Sequence, residues 1–186
     1  MDTLAHGLWG GMLAGWRKRF GLAFLFGISP DVFSFGLWMV FRAAQGYVQK
    51  GKPPLHILPE WLDTVYSITH SLIIAAAVWA LLWWLNRELA VPFSAWIIHI
   101  LFDIPTHSHR FFPTPFLYPL SDFTVDGVSW GQRWFMILNY SALLVLALLW
   151  IMARHRRRII KSSGRMKVQS PVRPASSEGS SSSRSA

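Results

Sequence analysis

The sequence predicts an all-α fold, a polytopic transmembrane helical bundle of about four to five membrane-embedded helices. Three observations predict it. Hydrophobic residues make up 52% of the 186 positions and charged residues only 15%, against about 25% charged in an ordinary soluble domain. One stretch, 134–153, is apolar throughout and has the length that a bilayer's hydrocarbon core requires. The 11 Trp and 13 Phe suit helices that meet lipid and its interfaces.

The first element, 3–16, is short and rich in glycine. Gly7, Gly11 and Gly15 fall four apart, so on a helix they form one stripe against which a second helix can pack closely. Arg17, Lys18 and Arg19 follow as a basic tip. Residues 20–41 are apolar except around Ser29-Pro30-Asp31 and at Ser34, and Pro30 should kink or end this helix. Broken backbone at membrane depth is tolerated only inside protein or beside a water-filled cavity. Residues 42–64 read as a loop with a short helix near 60–65. Spans follow at 68–85 and at 89–104, separated by a tight connection at Asn86-Arg87-Glu88, and Pro105 ends the second of them. Residues 106–132 form a long proline-containing loop before the last span. The domain division is a membrane-embedded helical domain over 1–158 and a disordered, basic, Ser/Arg-rich tail over 159–186, where composition cannot support a core. A cleaved signal peptide is not expected, because no small-residue cleavage site follows 20–27.

Net charge is +9, and it is unevenly placed. Arg154, Arg156, Arg157, Arg158, Lys161, Arg165, Lys167, Arg173 and Arg184 all follow the last span. This bias puts the C-terminus in the cytoplasm and points to the anionic lipid surface as the tail's partner. Nucleic acid is not expected, since no aromatic residues interleave with these charges. The chain has no Cys, which excludes disulfides, thiolate metal sites and Cys nucleophiles.

Ionisable residues inside membrane spans are costly and mark function. Five stand out: His6, Asp31, His70, His99 and Asp103. Measured from a hairpin tip at Lys18, His6 and Asp31 both lie roughly 18–20 Å away along their helices. Measured from a tip at Arg87-Glu88, His70, His99 and Asp103 lie roughly 17–26 Å away on the same side. Four elements thus bring imidazoles and carboxylates to one depth, away from the cytoplasm. His99 and Asp103, at i and i+4, share a helix face and make a two-ligand unit. His107 is four residues further on, but Pro105 intervenes, so it need not share that face. Imidazole plus carboxylate suits Zn²⁺, and a carboxylate-rich set suits Mn²⁺ or Fe²⁺. Singly, each residue also fits an ordinary helix-to-helix hydrogen bond, and Asp31 fits a cap on a helix restarting at Val32. His56 and His109 fall in loops, His155 in the basic tail, and Asp122 and Asp126 at turns. No Ser-His-Asp elbow, phosphate-cradling loop or dinucleotide fingerprint is present.

The chain resembles the predicted membrane-bound metal-dependent hydrolases of bacterial inner membranes. The resemblance runs over about residues 1 to 150 and rests on five short motifs in order: Met1-Asp2-Thr3-Leu4-Ala5-His6-Gly7, Ser29-Pro30-Asp31-Val32-Phe33, Thr69-His70-Ser71-Leu72, His99 to Asp103 followed by Thr106, and Tyr118-Pro119-Leu120-Ser121. It departs at Phe33, where the family commonly has a second Asp, and before Thr69, where Val65-Tyr66-Ser67-Ile68 replaces an Arg-Gly-Phe type segment. The His/Asp order is also similar to that of zinc-dependent phospholipases C, an analogy that does not fix function.

The resemblance and the residues together give a leading expectation. His6, Asp31, His70, His99 and Asp103 bind one or two divalent metals, with Asp31, His70 and Asp103 catalytic. The metal supplies hydroxide near neutral pH for attack on an ester or phosphoester, and membrane depth favours a lipid-like substrate. Two rivals use the same features: a proton or metal-ion transporter, and a non-catalytic scaffold that recruits an acidic partner through its basic tail.

Overall fold

A computed structural model describes residues 1–15, 19–47 and 53–168. Arg17 and Lys18 of the expected basic tip, and 169–186 of the expected tail, lie outside the described residues. Among the described residues the fold is all-α with no β-strand. The helices are α1 (Thr3–Leu13), α2 (Phe20–Asp31), a π turn (Val32–Gly36), α3 (Leu37–Ala44), α4 (Glu60–Thr69), α5 (Leu72–Leu85), α6 (Arg87–Thr106) and α7 (Arg133–Val168), with a 3₁₀ turn at Leu55–Ile57. Three helical stretches are long and apolar enough to cross a membrane: Phe20–Ala44, Arg87–Thr106 and Arg133–Ala153. The bent pair α4 and α5 makes a fourth if counted as one span. At 11 residues, α1 is too short to cross alone.

The chain forms two compact units, Met1–Leu148 and Leu149–Ala186. The second continues helically to Val168, past the residue at which composition suggests the tail begins. Within the first unit, α1 lies along α2, both pack on α6, and α5 runs beside α6. The expected glycine stripe does its work at the α1–α2 contact. A Cβ on Gly7 would meet Phe24 at 2.6 Å, and one on Gly11 would meet Phe20 at 2.6 Å. At Gly27 the helix backbones themselves meet, and a Cβ there would fall 2.7 Å from the His6 carbonyl oxygen. On the other side of α1, Met1, Ala5, Met12 and Leu143 form a buried cluster, and Trp9 Nε1 donates to Asn139 Oδ1 at 2.9 Å. Arg19 pairs with the Glu88 carboxylate and also donates to its carbonyl, tying the two hairpin tips together.

Three local expectations are corrected. Pro30 neither ends nor sharply breaks its helix; the stretch from Phe20 to Ala44 stays helical by passing through the π turn. Within that turn, buried Ser34 donates to the Pro30 carbonyl at 2.7 Å. The expected span over 68–85 instead breaks at His70, where α4 and α5 meet at 49°. Ser71 starts the new helix by accepting from the Ile74 amide. Finally, α6 runs through Pro105 to Thr106.

Candidate metal centre

Each element delivers its side chain for a local reason. Asp2 caps α1, accepting from the Ala5 amide at 3.0 Å, so His6 sits on the first full turn, facing α6. Asp31 is the last residue of α2, directly before the π turn. Its Oδ2 accepts from Thr3 Oγ1 at 2.7 Å, which leaves Oδ1 to face inward. His70 lies in the break between α4 and α5, with φ −105° and ψ 15°. Trp96 holds the end of α4 by donating to the Thr69 carbonyl at 2.8 Å. His99 and Asp103 project from one face of α6.

These elements bring Asp31, His70, His99 and Asp103 together, with one ligand atom from each lying within 4.8 Å of the others. His70 Nε2 and His99 Nε2 are 3.2 Å apart. Asp31 Oδ1 lies 3.6 Å from both of them. Asp103 Oδ2 lies 3.1 Å from His99 Nε2 and 3.6 Å from His70 Nε2. Two ligands on one Zn²⁺ can be at most about 4.4 Å apart, twice the ligand distance; these five separations fall within that limit, and the sixth, between the two carboxylates, lies within 4.8 Å. His70, His99 and Asp103 are fully buried, whereas Asp31 is partly exposed.

The protons test the fit. His99 Nδ1 is 2.7 Å from the Gly27 carbonyl, and His70 Nδ1 lies 3.1 Å from the Tyr66 carbonyl and 3.0 Å from the Thr69 hydroxyl. A carbonyl only accepts, so a neutral His99 carries its proton on Nδ1 and presents a bare Nε2 lone pair, and a neutral His70 does the same when its Nδ1 donates to Tyr66 rather than accepting from Thr69. Asp103 Oδ2 is buried and accepts no hydrogen bond. In that tautomer four lone-pair donors converge. Metal-bound histidines show this arrangement, with the second nitrogen fixed by a backbone carbonyl.

His6 stands beside the four rather than among them. Its ring stacks on His99 with centroids 3.6 Å apart, and its Nε2 lies 2.8 Å from Asp103 Oδ1. The same oxygen takes the Met1 α-amine at 2.6 Å. His107, which the sequence reading left out because of Pro105, also reaches the centre, with Nδ1 3.4 Å from Asp103 Oδ1. Burial pushes its pKa down to about 4, against the opposing pull of Asp103, so at neutral pH it is an uncharged ring. The His99, Asp103, His107 spacing was the available signal; α6 simply continues one residue past the proline. Phe33, the departure from the resembled family, is 48% exposed and stacks on Trp96, away from the four ligands. Asp126 accepts from the His109 amide at 2.8 Å, tying together two points of the loop 17 residues apart.

Asp31 and His107 also border a cavity of about 410 Å³. No family model, curated protein or solved structure matches this chain.

Proposed function

We propose that this chain is a membrane-embedded, metal-dependent hydrolase of an ester or phosphoester. The observation that carries the reading is the convergence of His70 Nε2, His99 Nε2, Asp31 Oδ1 and Asp103 Oδ2, with each histidine's Nδ1 turned away to a backbone carbonyl. Two imidazoles and two carboxylates favour Zn²⁺, with Mn²⁺ or Fe²⁺ as the carboxylate-tolerant alternatives. A divalent ion held there would polarise the scissile oxygen and supply hydroxide near neutral pH.

The chain's own residues divide the work. His70, His99 and Asp103 form the buried wall of the centre. Asp31 forms its open side, where the cavity arrives and where a catalytic site needs a replaceable position. Thr3 fixes the Asp31 carboxylate, and His6 braces both Asp103 and the His99 ring. His107 stands between Asp103 and the cavity, where its ring can orient a substrate. The Lys and Arg bias supports a C-terminus in the cytoplasm of a bacterial inner membrane, with the basic tail on anionic lipid.

The test is metal analysis of protein purified without chelator, followed by an ester and phosphodiester hydrolysis screen. Near-stoichiometric Zn or Mn, lost in the double variant His99→Ala, Asp103→Ala together with any hydrolysis found, is expected. A metal-free wild type that cannot be loaded would end the proposal.

A further inference from the structure

We propose that the cavity beside Asp31 holds one hydrocarbon chain of a bilayer lipid, with the lipid's ester or phosphoester turned toward Asp31. The placement of the head rests on the hydrolase reading; the placement of the chain rests on the cavity itself.

One wall is a helical stripe, Val32, Phe35, Gly36 and Met39, at the spacing of a single face. Tyr66 and Phe112 also line the cavity, and both rings make edge contacts with Phe35. The Phe112 backbone is held at φ 45°, and its carbonyl accepts from the Tyr66 hydroxyl at 3.3 Å. A bulky residue rarely takes that conformation unless its surroundings enforce it. Among the described residues, ionisable side chains in the lining come from Asp2, Asp31, Tyr66 and His107, and no Lys or Arg lines the cavity. A ligand with charge along its length would find no partner among the apolar residues, whereas a chain with one reactive end matches the whole lining.

The cavity also opens where a lipid would enter. Val32 and Met39 are 42% and 58% exposed and belong to the Phe20–Ala44 span. A chain can therefore slide in from the bilayer without crossing water. At about 30 Å³ per water-sized group, the 410 Å³ takes on the order of a dozen methylenes.

The experiment uses full-length protein in lipid nanodiscs containing a trace of phosphatidylcholine with a diazirine at the end of one acyl chain. After photolysis, labelled residues are mapped by mass spectrometry. Trp84, 81% exposed on the opposite hairpin, reports contact with bulk lipid. Buried Tyr66 and half-buried Phe112 report the cavity. Labelling of Tyr66 and Phe112 beside Trp84 is expected. Gly36→Leu should cut the cavity labels about tenfold relative to Trp84 by filling the space. A Cβ at 36 meets nothing closer than 3.5 Å, so the fold can accept it; Met39→Trp at the mouth is the second variant. His99→Ala should lose metal and keep the labels. Protein that binds metal and labels Trp84 but not Tyr66 or Phe112 overturns the chain site and spares the hydrolase. Protein that never binds metal yet labels Tyr66 supports the chain site and sinks the hydrolase.

Discussion

His70 and His99 face each other through their Nε2 atoms at 3.2 Å, each with its Nδ1 beside a backbone carbonyl. With both rings neutral and protonated on Nδ1, their Nε2 lone pairs repel, and two carboxylate oxygens add to the repulsion. A cation, or a proton placed on one Nε2, relieves it. A bound ion would offset that cost, and this shapes what each neighbouring residue should do when altered.

Metal removal should lower stability in a way that added metal restores. An ion that binds only the folded state stabilises it by about 2.7 kcal/mol when present at a hundred times its Kd. Thermal unfolding in detergent should thus show a lower Tm after chelation, with recovery on adding Zn²⁺. Binding should also release protons, because a ring protonated in the metal-free protein must give its proton up. An unchanged Tm across chelation and reloading would contradict this.

Thr3→Val should weaken metal binding without disturbing the fold. Its hydroxyl touches the ligand Asp31 at 2.7 Å and does not itself face the ion. Loss of an orienting partner of this kind costs about 10–100-fold in metal affinity. Competition with a chromophoric chelator measures it, and circular dichroism should remain that of the wild type.

Gly27→Ala should hurt both stability and the centre. The new methyl would meet the backbone oxygen of His6 at 2.7 Å, an atom that cannot rotate away. Overpacking of this sort costs about 1–3 kcal/mol. It also pushes α1, and with it His6, off the His99 ring. Gly21→Ala on the same helix is the control, since a Cβ there meets nothing within 4 Å. Equal behaviour of the two variants would remove the close-packing argument.

Much of this was legible in the sequence because the bilayer makes it so. A long apolar run must become a helix to satisfy its own backbone, and an ionisable side chain on such a run must find a partner. Those two constraints, with hairpin arithmetic, put His6, Asp31, His70, His99 and Asp103 at one depth, and the structure gathers the last four. What remained hidden was finer. Pro30 signalled a break, but whether the chain stops or inserts a π turn depends on Ser34 and on the packing of α2 against α1 and α6. Pro105 seemed to detach His107, yet a proline near a helix end costs only one hydrogen bond, and the helix lasted a residue longer. The kink at His70 was invisible in the apolar pattern. It arises from Ser71 capping α5 and from the Leu72 amide donating to the Phe116 carbonyl at 2.9 Å, a contact across the chain that no local window contains.

Ser34→Ala tests whether the π turn serves the centre. Ser34 is fully buried, and its hydroxyl donates to the Pro30 carbonyl at 2.7 Å. Its removal leaves a buried acceptor short of a partner, a loss of about 1–3 kcal/mol. The turn begins one residue after Asp31, so relaxing it toward a regular helix would rotate the Asp31 carboxylate out of reach of the two Nε2 atoms. Metal affinity should therefore fall about tenfold or more, by the same chelator competition used for Thr3→Val. Ser34→Thr, which keeps the hydroxyl at the cost of one methyl, should restore most of the affinity. Phe33→Ala, one residue away and facing Trp96 instead, should leave it intact. If Ser34→Ala loses stability yet binds metal as tightly as the wild type, the π turn is a repair for Pro30 and nothing more.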